Sequence, residues 1–114
     1  MKVSVFCSLS VEGLHRWEHC DVQETAYLVS AHRHVFKIVC WAKVRHDDRD
    51  IEFIKLKHDV QKWLHDKYWN DTMSLLNFGG MSCEAIATEI LRQFSLCKVL
   101  VSEDGENGAE VIEV

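Results

Sequence analysis

His32-Arg33-His34-Val35-Phe36-Lys37-Ile38-Val39-Cys40-Trp41-Ala42-Lys43-Val44 is the stretch from which the fold is read. Its even positions (His32, His34, Phe36, Ile38, Cys40, Ala42, Val44) are more apolar than its odd ones, which include Val35, Lys37, Val39, Trp41 and Lys43. Alternation with period two puts each set on one face of a strand, and the apolar even set faces inward. The strand begins at about Tyr27 or at His32. The same pattern opens the chain. Val3, Val5, Cys7, Leu9 and Val11 share one parity, and Lys2, Ser4, Phe6, Ser8 and Ser10 the other, so Lys2 to Val11 reads as a second half-buried strand.

Between these strands, residues 12–26 are polar and irregular. After them, Arg45 to Asp50 is a charged turn, and Ile51-Glu52-Phe53 reads as a short strand or the lead-in to a helix. From about Ile54 to Lys67 the period changes. Leu56, Val60, Trp63 and Leu64 fall on one helical face. Tyr68 to Met81 reads as a loop ending in Gly79-Gly80, after which Ser82 is the N-cap of a second helix over about Cys83 to Gln93. Ile86, Ala87, Ile90 and Leu91 form its buried face. A strand over Lys98 to Ser102, a turn over Asp104 to Gly108 with the hairpin signal Asn107-Gly108, and a last strand over Ala109 to Val114 complete the chain. Strands at both ends with helices between them indicate an α+β domain on an antiparallel sheet.

Composition bounds the function. The 114 residues make one domain, 1–114, with no internal repeat or linker. A chain of this length buries roughly two-thirds of its unfolded surface and needs no disulfide. Apolar residues at 47% and charged residues at 27% exclude a disordered chain, and the absence of proline excludes collagen-like and proline-rich types. No apolar run is long enough to span a membrane, and residues 1–10 lack the features of a signal peptide, so a cytoplasmic location without a membrane partner is expected. Cys7, Cys20, Cys40, Cys83 and Cys97 form no CxxC pair and are expected as reduced thiols. A formal charge of −5 gives no general attraction to nucleic acid, which is not expected as a partner.

Few residues carry chemistry. His32 and His34, at i and i+2 on a strand, point to one face roughly 7 Å apart at the backbone. They either converge on a metal or form an ordinary hydrogen-bonded pair, and His15 could add a third ligand. Glu103, after an apolar strand, offers two acceptor oxygens that suit a heterocycle edge with a ring N–H beside an amino group; otherwise it is a solvated charge at a hairpin. Glu84 complements the dipole of the second helix and Ser82 caps it, while the amides there could also contact a ligand. Trp63 fits a helical core stripe and Trp41 a sheet face. Trp17 packs in the core or, less commonly for such a residue, lines a pocket. Cys20, near His15 and His19, is a nucleophile only if a metal or cation lowers its pKa.

Taken in order, these signals resemble the tunnelling-fold family of 6-pyruvoyl-tetrahydropterin synthase and 6-carboxytetrahydropterin synthase. The resemblance rests on Val11-Glu12-Gly13-Leu14-His15-Arg16 at the first motif and His32-Arg33-His34 at the His-Gly-His motif. It continues through Ile51-Glu52-Phe53 with Leu56-Lys57, Met81-Ser82-Cys83-Glu84 at the Pro-Thr-x-Glu motif, and Val99-Leu100-Val101-Ser102-Glu103. It covers nearly the whole chain. It implies an antiparallel four-stranded sheet with two helices on one face, assembling into an oligomeric barrel, commonly a hexamer. It also implies zinc held by His15, His32 and His34, and a pterin- or purine-like ring anchored by Glu103, with Glu84 and Ser82 beside it.

The departures concern catalysis. The family's cysteine precedes its His-Gly-His motif by a few residues, where this chain has Ala26, Tyr27 and Leu28; the nearest preceding cysteine is Cys20. The Asp-His pair before Leu76-Asn77 is replaced by Thr72 and Met73, with Asp71 adjacent. Arg33 stands for the glycine of His-Gly-His and Met81 for the proline of the fourth motif. Three readings follow: an enzyme of the synthase or lyase type using Cys20, His19 or Asp71 in an unfamiliar role, a purine-, pterin- or nucleotide-binding protein that sequesters or senses its ligand, and an oligomeric scaffold with a vestigial pocket.

Overall fold

A computed structural model describes residues 1–114. Strands β1 (Ser4–His15) and β2 (His32–Lys43) pair antiparallel along their whole length, from Ser4 opposite Lys43 to His15 opposite His32. Helix α1 (Phe53–Tyr68) is followed by the short strands β3 (Trp69–Asn70) and β4 (Leu75–Asn77), helix α2 (Cys83–Gln93), and the hairpin β5 (Lys98–Glu103) and β6 (Asn107–Ile112). The sheet order is β3-β4-β1-β2-β5-β6, and every pairing is antiparallel except β1 with β4. The α+β class and the four long strands match expectation. The sheet has six strands rather than four, because Leu75–Asn77 joins the end of β1 through Gly13 and Leu14, inside the segment read as a loop.

The alternation seen in the sequence becomes burial. Cys7 and Leu9 of β1, Phe36, Ile38, Cys40 and Ala42 of β2, and Val99 and Val101 of β5 lie on one face. That face packs against Leu56, Val60 and Leu64 of α1 and Ile86, Ala87, Ile90 and Leu91 of α2. Trp63 lies at the margin of this core, edge-on to Tyr68 and Phe94. Trp41 is on the opposite face of the sheet beside Phe6, with the Lys98 ammonium 4.4 Å from its ring centroid.

Several boundaries differ from the sequence reading. β1 does not stop at Val11 but runs to His15, and a 3-10 segment occupies Gln23–Val29 within the stretch read as irregular. Of the two readings of Ile51-Glu52-Phe53, the lead-in to a helix holds: the Glu52 carboxylate accepts the Ile54 amide at 3.0 Å and caps α1. Ser82 caps α2 as expected, accepting from the Ala85 amide at 3.1 Å. Asn107-Gly108 belongs to β6, and the tight turn is made by Asp104 (φ 59°) and Gly105 (φ 75°), both in the left-handed region.

Candidate metal centre

Strand register assembles the cluster. His15, the last residue of β1, faces His32, the first of β2, and Gly13 faces His34. On the other side of β2, Phe36 faces Glu103 at the end of β5. The three imidazoles lie with ring centroids 4.6, 5.1 and 5.5 Å apart. One donor atom from each, together with a Glu103 oxygen, lies within 4.8 Å of all the others. Beneath them the Phe36 ring meets His15 and His34 edge-on and packs against Phe78. Gly13 permits this packing: a Cβ there would lie 2.7 Å from Phe78 Cε2.

Each ring is oriented from behind. The Nδ1 of His15 donates to the Met81 carbonyl at 2.9 Å, that of His32 to the Ser30 carbonyl at 2.8 Å, and that of His34 to the Asp104 carboxylate at 2.7 Å. A carbonyl or carboxylate oxygen only accepts, so Nδ1 is the donor in each of these three bonds and Nε2 is left for a partner on the inner side. Asp104 keeps this role because its carboxyl is held below the usual carboxylate range, first by the Val35 amide and then by the His34 ring. The Nε2 atoms therefore turn inward. Glu103 Oε2 lies 3.1 Å from His15 Nε2 and 3.0 Å from His34 Nε2. Ring nitrogens and a carboxylate oxygen converging at these distances form the donor set of a cation site. Imidazoles anchored through Nδ1 on backbone or carboxylate oxygens are the usual outer support of such an ion. The residues present fit a metal.

A cavity of about 430 Å³ opens beside the cluster. His15 and His32 form its inner wall, Trp17, Leu28 and Met81 its apolar sides, and Ser82, Cys83 and Glu84 at the start of α2 its floor. Trp17 is 44% exposed and lines this cavity instead of packing in the core. The Cys83 thiol is pushed up to about 11, first by burial and then by the charges of Glu103 and Glu84. Cys20 lies outside both the cluster and the cavity wall, its thiol directed at the Thr25 carbonyl at 3.5 Å. Asp71 is also apart from them and accepts the Trp69 indole N–H at 2.8 Å.

The structure adds residues that the sequence reading passed over. The Asp104 carboxylate accepts from His34 and from the Val35 amide at 2.9 Å, while its own amide donates to the Val35 carbonyl at 2.8 Å, so the β2–β5 ladder is extended by one residue. Its only signal in the sequence is a place in an Asp-Gly turn after Glu103. The Ser30 and Met81 carbonyls are backbone groups, which residue identity does not reveal.

The architecture has counterparts among solved structures. The crystal structure of uncharacterized protein WS1659 from Wolinella succinogenes superposes with a TM-score of 0.77 at 11% identity, over 100% of this chain and 99% of that one. Caenorhabditis elegans 6-pyruvoyl tetrahydropterin synthase superposes with a TM-score of 0.72 at 14% identity, over 100% of this chain and 97% of that one. The chain has the 6-pyruvoyl-tetrahydropterin-synthase fold. Identity this low carries the architecture alone. No family model and no curated protein matches the sequence. Within that fold, the histidines and Glu103 occupy the helix-covered face of the sheet, at the end where α2 begins. No helix is long and apolar enough to cross a membrane.

Proposed function

We propose that the protein is a zinc-dependent, 6-pyruvoyl-tetrahydropterin-synthase-like protein that binds a pterin- or purine-like ring in the cavity beside its histidines. The observation that carries this reading is the anchoring of three Nδ1 atoms on acceptor-only oxygens, with one donor atom of each ring converging on the others. Imidazole and carboxylate donors suit zinc. When bound, zinc supplies a Lewis acid for a carbonyl or hydroxyl of the ligand. The chain's own residues do the rest: Trp17 offers a flat apolar wall, and Ser82 and Glu84 offer polar groups at the cavity floor. The direct test is elemental mass spectrometry on wild type and His32→Ala. About one zinc per chain, lost in the variant, is expected; no metal in folded, zinc-supplied wild type would refute the reading.

A non-catalytic form of the same function is favoured by one further observation. Cys20 and Asp71, the residues nearest to the family's relay in sequence, lie away from the cavity. Such a protein would sequester or sense a purine, pterin or nucleotide. Turnover of dihydroneopterin triphosphate by the zinc form would support an enzyme of the synthase or lyase type. Calorimetric binding of pterins or guanine nucleotides without turnover would support the binding protein.

The sheet edges favour a homo-oligomer, with a hexameric barrel as the family-like outcome. β4 pairs with β1 only at Gly13 and Leu14, leaving the outer edge of Ser4 to Glu12 without a partner in the chain. Phe6, Phe53 and Ile54 are exposed beside that edge, and β6 presents a second open edge at the other end of the sheet. Pairing between copies removes both edges. Native mass spectrometry reads the stoichiometry directly.

A further inference from the structure

We infer that Glu103 is a metal ligand, closing the centre as a His15-His32-His34-Glu103 set instead of anchoring the bound ring. This rests on the zinc reading above. Three features of Glu103 carry it. Its Oε2 is at 3.1 Å from one Nε2 and 3.0 Å from another, so it shares the space in which those nitrogens converge. Its donor oxygen belongs to the same four-member group as the three ring nitrogens, all within 4.8 Å of one another. It is also absent from the wall of the cavity in which a ring would sit, whereas Glu84 is part of that wall.

The chemistry follows from the count of ligands. Three imidazoles leave a fourth, open position on a tetrahedral zinc ion, whereas three imidazoles and a carboxylate fill it. In the resting protein the carboxylate therefore occupies the position that a ligand atom would take. A molecule that coordinates the metal has to displace Glu103. The freed carboxylate would then face solvent or the newcomer, since Glu103 is only half-buried at a strand end.

Cobalt(II) substitution tests this without relying on turnover. Wild type, Glu103→Gln and Glu103→Ala are loaded with cobalt, titrated with azide, and followed by visible absorption; X-ray absorption of the zinc forms counts the ligands. The expected wild-type spectrum is four-coordinate and unmoved by azide. Both variants should bind metal more weakly and gain an azide-dependent shift, because the loss of the carboxylate opens the fourth position. Using two variants guards against one that folds poorly. Metal bound by wild type with a spectrum that azide shifts equally in all three proteins would overturn the inference and leave the three-histidine site standing. Failure of wild type to bind cobalt or zinc would overturn the underlying zinc reading.

Discussion

The inner face of β2 contains two environments on one backbone parity. Phe36, Ile38, Cys40 and Ala42 are buried under the helices, while His32 and His34, in line with them, remain partly open, His32 on the wall of a cavity. The backbone treats both groups alike. What separates them is cover: α1 and α2 lie over the apolar half, whereas α2 only begins, at Cys83, next to the histidine half. Side chains under the helices gain by leaving water. Those at the margin are polar, and the cost of their partial burial is offset because each Nδ1 has an acceptor. One strand thus supplies both the core and the site, and the helical layer sets the border.

The largest effect is expected at that border. Phe36→Ala removes a fully buried ring that supports both His15 and His34. It should lower folding stability by about 3–5 kcal/mol, read by urea unfolding, and weaken metal binding as well. Next is the metal itself. Zinc at about 100 times its dissociation constant should stabilise wild type by about 2.7 kcal/mol and His32→Ala by nothing, compared in thermal melts with and without chelator. Gly13→Ala, with its Cβ driven toward Phe78, should cost about 1–3 kcal/mol, and an unchanged unfolding midpoint would mean that the aromatic pair can move aside.

Smaller effects come from the helix surface and the thiols. The Tyr68 hydroxyl donates to Glu89 at 2.6 Å and Lys67 reaches the same carboxylate, tying α1 to α2. Tyr68→Phe should cost below about 1 kcal/mol at this partly exposed contact. The Glu89 carboxyl is held below its ordinary range, first by Lys67 and then by Tyr68. Its contribution is therefore present above the ordinary carboxylate range and lost as pH falls through the depressed value, so the gap between wild type and Tyr68→Phe should close on acidification. Burial pushes the Cys40 thiol up to about 12 and the Cys83 thiol up to about 11. Iodoacetamide at neutral pH should label the partly exposed Cys20 and Cys97 first, as seen by peptide mass spectrometry. Early labelling of Cys83 would mean that metal or cation at the site activates it.

Much of this border is visible in the residues, though unevenly. The period-two run of β2 and the Ser82 cap show in side-chain chemistry, and so does the shared face of His32 and His34. The true end of β1 does not. Its inward parity continues through Gly13 and His15, but a glycine has no side chain and a histidine is polar, so hydropathy stops at Val11. β4 escapes because Leu75–Asn77 is too short to display a period and exists only by pairing with β1. Of the centre, His32 and His34 show in spacing and His15 joins them through the resemblance, while Glu103 reads there as the anchor of a ring. The supports of the three rings do not show, because two are backbone carbonyls and the third is an aspartate in a turn.

The separation of the donors along the chain has a kinetic consequence. His15 and Glu103 are 88 positions apart and meet only when β1, β2 and β5 stand side by side in register. Shifting either pairing by one residue would turn donors to the opposite face of the sheet. Contacts of such range close late, after the loop entropy between them has been spent. A small zinc module with its ligands close together can use the ion to start folding. Here an ion could gather all four donors only in a finished sheet, so its capture would certify that the chain had folded correctly.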